Sequence, residues 1–221
     1  MWQWWQPIAA APTCMAILKM PSETFNAKNI NTTIEGSFER MKEVCQAAGE
    51  AGKPIRGYIS TAFHCPFEGK IEPSMVTDIA MRLLDLGVHD VSIGDTIGRA
   101  NLDEVERLLD VLLVKVPVEK VAMHFHDTFG QAAGNVVASW KKGVTIFDSC
   151  TGGIGGCPYA PGAPGNVSTA TVVRALRSAG RHGQIVVDRE FPSQVCGGAR
   201  RSIVVPFEVR ISAMQRRRHA A

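Results

Sequence analysis

A chain of 221 residues with 45% hydrophobic and 20% charged content has room for one domain with a real core. The formal charge is only +3, and Arg216, Arg217 and Arg218 hold much of the excess in one run, so the balance argues for a solvated basic tail and against nucleic acid as a partner. No apolar run approaches the roughly 18 residues of a membrane span, no charged-then-apolar leader opens the chain and no Lys or Arg precedes Lys19; with six cysteines at 14, 45, 65, 150, 157 and 196 forming no CxxC pair, the expectation is a cytoplasmic chain with reduced thiols and no membrane attachment.

From about residue 15 to 180, short β-branched apolar runs alternate with amphipathic stretches, the pattern of repeated βα units around a parallel sheet. Met15 to Met20 reads as the first strand. Ile34, Phe38, Met41, Val44 and Ala48 then recur at helical spacing, with Thr32 and Glu35 as a capping box and Gly49 or Gly52 as the stop. Ile55 to Thr61 is the second strand. Pro73 opens the next helix, whose Val76, Ile79, Ala80, Leu83 and Leu86 face inward as far as Gly87. Asp90 to Gly94 is the third strand, and Asn101 precedes a helix carrying Val105, Leu108, Leu109 and Leu112. Lys120 to His126 is the fourth strand, a helix runs from about Thr128 to Lys142 before Gly143, and Val144 to Asp148 is the fifth strand. A last helix follows Asn166 or Ser168, with Val172, Val173 and Leu176 inward and Gly180 as its end.

This alternation suits a (β/α) barrel or a doubly wound sheet, although about five βα units are too few to close an eight-stranded barrel of about 250 residues. After Gly180 the segment Arg181 to Pro192 holds a short strand-like run without a helix period, and later stretches are Arg-rich. The expected division is therefore an atypical N-terminal segment over 1–14, a partial barrel over 15–180 and an atypical basic C-terminal tail over 181–221.

The chemistry gathers at the carboxyl ends of the strands: Ser22 and Glu23, Asp95 and Thr96, His124 and His126, and the loop after Asp148. A strand exposes every second side chain on one face, so His124 and His126 point the same way and can share one divalent ion. A His-x-His pair alone is more often structural, and two imidazoles are an incomplete shell: Mg²⁺ or Mn²⁺ wants oxygen donors and Zn²⁺ further protein ligands. The segment Gly152 to Asn166, with six glycines and three prolines, suits either a plain surface connection or a flexible flap, and it carries a thiol, Cys157, and a further candidate ligand, Asn166. Asp95 could orient a substrate hydroxyl or cap the turn after it. No Gly-x-Gly-x-x-Gly opening a helix, no Walker Lys-Ser/Thr and no serine elbow appears, which excludes the usual nucleotide and serine-hydrolase motifs.

The segments Ser22-Glu-Thr-Phe-Asn-Ala-Lys-Asn-Ile-Asn31, Arg56-Gly-Tyr-Ile-Ser60, Cys65-Pro-Phe-Glu-Gly-Lys-Ile71, Gly94-Asp-Thr-Ile-Gly98, His124-Phe-His-Asp-Thr-Phe-Gly-Gln131 and Gly152 to Asn166 resemble the 3-hydroxy-3-methylglutaryl-CoA lyase family, in the wider group of TIM-barrel metal-dependent lyases and condensing enzymes. The loop Gly155-Gly-Cys-Pro-Tyr-Ala160 is the specific part of the match. The resemblance implies an α/β fold of (β/α) TIM-barrel type, incomplete, with the first three strands missing and the chain entering within the fourth at about Met15. It implies cleavage of an acyl-CoA thioester, 3-hydroxy-3-methylglutaryl-CoA, to acetoacetate and acetyl-CoA, a step of leucine breakdown and ketone-body formation. A divalent metal, Mg²⁺ or Mn²⁺, is then held by His124, His126 and Asn166, and Cys157, His124 and Asp95 are the catalytic side chains. The family's Arg-Asp-Gly motif, which supplies the remaining ligand and an enolate-stabilising Arg, is not in this sequence, so little or no activity is expected of the chain alone. The atypical ends fit a truncated or frame-shifted reading of a longer gene. A related aldolase or condensing enzyme and a fragment without catalysis are the competing readings, and a homodimer is the assembly considered.

Overall fold

The structure is a computed structural model, and it describes residues 15–156, 165–181, 184–188 and 206–211. The strands in chain order are β1 (Met15–Lys19), β2 (Ile55–Ile59), the two-residue β3 (His64–Cys65) and β4 (Gly69–Lys70), β5 (Asp90–Asp95), β6 (Val121–Phe125), β7 (Ile146–Cys150), β8 (Ile185–Asp188) and β9 (Pro206–Ile211). The helices are α1 (Glu23–Ile30), α2 (Ile34–Glu50), α3 (Pro73–Asp85), α4 (Leu102–Leu112), α5 (Ala132–Lys141) and α6 (Thr169–Ser178).

Seven strands form one sheet in the order β1-β2-β5-β6-β7-β9-β8, while β3 and β4 make a separate hairpin. The first five are parallel and neighbour one another in chain order, and α3, α4, α5 and α6 each pack on the next. A doubly wound sheet reverses its strand order at a switch point and carries helices on both faces. Sequential strands under a single run of neighbouring helices are barrel winding instead. Beyond β7 the pattern changes, because β9 is antiparallel to both β7 and β8. The strand-like run after Gly180 is thus part of the sheet, with Val209 and Ile211 buried in it.

Local chemistry sets the helix ends. Asn101 accepts from Glu104 N while the Glu104 carboxylate accepts from Asn101 N, a full capping box before α4, and Pro73 fills the first turn of α3. Before α2 the cap is Thr33, whose hydroxyl accepts from Gly36 N at 3.0 Å, and not the expected Thr32 box. Glu35 turns away to hold Arg82. Ahead of α5, Asp127 Oδ1 accepts from Ala132 N at 3.1 Å, so the helix begins at Ala132 and not near Thr128. Helix α6 starts after Ser168, which accepts from Thr171 N. The unforeseen helix α1 is capped by Ser22 and ended by Asn31 at φ +50°, and it buries only Phe25 and Asn26, too few to leave a periodic apolar stripe.

The core lies between the sheet and its helices, where Ile59, Val91, Ile93, Met123, Phe125 and Phe147 meet Leu83, Leu108, Leu109, Val136 and Leu176. Among the described residues no helix is long and apolar enough to cross a membrane.

Lys19 brings a charge into this apolar layer. It is fully buried, its ammonium lies 3.6 Å from the Phe38 ring centroid, and it donates to the Ile34 carbonyl and the Ser37 hydroxyl. Burial, with Arg82 on the same ring, pushes its pKa down from 10.5 to about 8. Between those values the unfolded chain binds the extra proton, so this group makes unfolding free energy rise with pH across that window. Lys19→Met is expected to remove about 1–3 kcal/mol of that rise, read by urea denaturation of both proteins at pH 8 and pH 10.

Candidate functional site

Alternate residues of the central strands line the face of the sheet opposite the helices. Arg56 stands beside Asp90, Tyr58 beside Ser92, and His124 between Gly94 and Asp148. Arg56 Nε and Nη2 donate to the two Asp90 oxygens at 2.7 and 2.8 Å, and Nη1 donates to Asp148 Oδ1 at 3.1 Å. The Ser92 hydroxyl donates to Asp148 Oδ2 at 2.6 Å, and the same oxygen lies 3.5 Å from His124 Nδ1. Although burial pushes the Asp148 carboxyl up, His124, Arg56 and Ser92 together hold it below the usual carboxylate range. The Tyr58 ring meets His124 edge-on, with centroids 6.4 Å apart, and burial drives its phenol pKa upward.

A charge buried without a partner is prohibitive, so these three charged side chains hold one another. The sequence reading gave none of Arg56, Asp90, Ser92 or Asp148 a role in the site. The signal was present: charged residues at alternate positions inside otherwise apolar strands must be paired across the sheet.

His126 follows β6 directly and shares the side of His124, with ring centroids 5.3 Å apart. The Nδ1 atoms of both rings are buried without a hydrogen-bond partner. Burial first, then the neighbouring His124, push the His126 pKa down to about 3, against a smaller upward pull from the Asn166 side chain and the Thr96 backbone. The His126 imidazole is therefore neutral near pH 7 and has a lone pair to give.

Asn166 reaches this place through the neck of the glycine-rich segment. It forms an antiparallel bridge with His126, and Asp127 N and Val167 N donate to Gly165 O and Phe125 O at 2.7 and 3.0 Å. Asn166 N donates to Gly155 O at 2.8 Å, which pins the two ends of the loop together. Its side-chain amide donates to Ile154 O at 3.1 Å, and the same side chain bears on the His126 ring. Gly165 is required here: φ is +85°, and a Cβ would fall 1.9 Å from Gly155 O.

The residues matched by the family described as HMGL-like run from 8 to 190. The chain belongs to the HMGL-like family. A Danio rerio protein named 3-hydroxy-3-methylglutaryl-CoA lyase, cytoplasmic, is 44% identical over 173 residues, which are 78% of this chain and 52% of its own length. Among solved structures, the HMG-CoA lyase from Brucella melitensis has 45% identity and a TM-score of 0.75, covering 78% of this chain and 61% of that one. An HMG-CoA lyase from Acinetobacter baumannii, in complex with coenzyme A and 3-methylmalate, has 35% identity and a TM-score of 0.69 over 75% of this chain and 54% of that one. The chain spans about half the length of the curated relatives it matches.

Within this HMGL-like sheet the remaining candidates are placed differently. Asp95 ends β5 in register with Phe125, and its two oxygens accept from Arg99 N and Ala100 N at 3.1 and 3.0 Å, so it ties down the loop that follows. Burial raises its pKa to about 6 in spite of those amides. The same loop backs the histidine pair, since a Cβ on Gly98 would come within 2.9 Å of the His126 carbonyl. Ser22 caps α1, and Glu23 accepts from Ile34 N at 2.9 Å. Cys157 lies outside the described residues. Among the described residues no three His, Cys, Asp or Glu side chains gather in ligand geometry, so the candidate donors are two imidazoles and one carboxamide.

Two outcomes follow from this geometry. The His126 ring is expected to remain neutral down to about pH 4, with nitrogen shifts by two-dimensional NMR showing no titration between pH 7 and pH 5. Gly165→Ala is expected to cost about 1–3 kcal/mol in chemical denaturation, because the neck must open to admit the methyl group.

Proposed function

We propose that this chain serves the cleavage of 3-hydroxy-3-methylglutaryl-CoA to acetoacetate and acetyl-CoA, with the acyl-CoA thioester at the carboxyl edge of the parallel strands. The observation that carries the reading is the meeting of His124, His126 and Asn166 at the end of β6, in a chain of the HMGL-like family. The coenzyme A complex of the Acinetobacter baumannii relative supports the substrate class.

The donor set fits a divalent cation, Mg²⁺ or Mn²⁺, in part. His126 is neutral and its Nδ1 has no partner, His124 keeps part of its surface open, and Asn166 adds an oxygen. A hard cation prefers carboxylate oxygens as well, and those of Asp148 are taken by Arg56 and Ser92. When bound, such a cation would polarise the substrate's oxygens.

In the reaction a base takes the tertiary hydroxyl proton, the bond between C2 and C3 breaks, and its electron pair passes to the acetyl-CoA enolate, which is then protonated at C2. His124 is assigned to the substrate side, since its side chain retains 28% of its accessible surface while Nδ1 is buried. Cys157 is assigned the proton transfer from the loop, and Asp95 holds the backing turn. Arg56 is committed to Asp90 and Asp148, so it does not serve a developing enolate.

The test is acetoacetate release with Mg²⁺ or Mn²⁺, alongside Mn²⁺ binding by calorimetry. Among the described residues no carboxylate joins the histidine pair as a donor and Arg56 is committed elsewhere, so turnover by this chain is expected about 10²–10³-fold below that of a lyase that has both groups in place. His124→Ala is expected to abolish that turnover and weaken Mn²⁺ binding at least about tenfold. Equal Mn²⁺ binding in the two proteins would overturn the ligand assignment, and cleavage of other acyl-CoA substrates in preference to this one would move the chain to a related aldolase or condensing enzyme.

A further inference from the structure

We propose that Asp148 is a positioning residue for His124: whenever the imidazole carries a single proton, Asp148 keeps it on Nδ1, so that Nε2 is turned to the open edge of the sheet. The inference deepens the cleavage reading, which gives that nitrogen its use, but the tautomer is a property of the protein alone.

Asp148 Oδ2 is the carboxylate oxygen facing His124 Nδ1, 3.5 Å away, and that nitrogen is buried with no formed hydrogen bond. A neutral ring cannot turn a lone pair toward a carboxylate in a buried site without repulsion, so the proton belongs on Nδ1. A buried N–H left unpaired is costly, which favours closing this gap to hydrogen-bond length. The ring has little freedom to turn elsewhere, because Tyr58 meets it edge-on and His126 lies beside it.

Asp148 is itself held against rotation. Arg56 Nη1 takes Oδ1, and Arg56 is in turn clamped by both oxygens of Asp90, so the oxygen left for His124 and Ser92 is always Oδ2. That arrangement makes the direction of hydrogen bonding testable by one atom. In Asp148→Asn the remaining oxygen must stay on Arg56, which places the new NH₂ where Oδ2 was. That group donates toward His124 Nδ1 and drives the ring proton to Nε2. Ser92→Ala is the control, because it removes a hydrogen bond to the same carboxylate but leaves an acceptor facing Nδ1.

The experiment is long-range proton-nitrogen correlation on ¹⁵N-histidine-labelled protein without metal, with a His124→Gln spectrum for assignment, followed by Mn²⁺ titration. The expected result is an Nδ1–H tautomer for His124 in the parent protein and in Ser92→Ala, and an Nε2–H tautomer in Asp148→Asn with Mn²⁺ affinity lower by about 10–100-fold. An Nε2–H tautomer in the parent protein would overturn the inference, as would a folded Asp148→Asn with the parent tautomer. If Asp148→Asn does not fold, the parent spectrum alone decides. An Nδ1–H tautomer in a protein that takes up no Mn²⁺ supports the positioning of His124 and refutes the metal reading instead.

Discussion

A guanidinium between two carboxylates, in the middle of a sheet, constrains everything around it. Arg56 is 2% exposed and Asp90 3%, so their charges survive only if β2 and β5 keep the register that places them side by side. A slip of one residue would turn Arg56 into the apolar layer beneath the helices. Asp148 extends the same demand two strands further, to β7, and His124 stands on the strand between. Register, burial and the orientation of the candidate site are thereby set by one cluster.

The parallel strands and the five helices α2 to α6 were legible in the sequence, because each of these helices repeats its apolar residues with the period of a turn and stops at a glycine or a cap. Asn101 with Glu104, and Pro73, marked their helices in single residues. The cap of α2 was misplaced by one position because Thr32 and Thr33 are adjacent, and which hydroxyl meets Gly36 N depends on the turn that Asn31 begins. Helix α1 and the β3–β4 hairpin were missed for a common reason: each is too short for periodicity, and α1 docks through Asn26, which bonds the Met20 and Ser22 carbonyls, more than through an apolar stripe. The antiparallel strands β8 and β9 carried no repeat, since their place depends on a pairing between distant segments.

Of the site, the two histidines were legible because strand alternation is a local rule. Asn166 was named for its place at the end of the glycine-rich segment, but its approach to His126 depends on hydrogen bonds among Asp127, Gly155 and Gly165 that no local pattern encodes. The supporting carboxylates were not read at all. Their meaning lies in pairing across four strands, where the sequence separation between Arg56 and Asp148 is 92 residues.

The fastened ends of the glycine-rich segment have an evolutionary corollary. With Asn166 N on Gly155 O, and Gly165 O taken by Asp127 N, the carboxamide is anchored to the end of β6 by the base of the loop. A substitution that breaks either of these backbone bonds therefore displaces the donor without touching it, so selection bears on Gly155 and Gly165 as it does on Asn166.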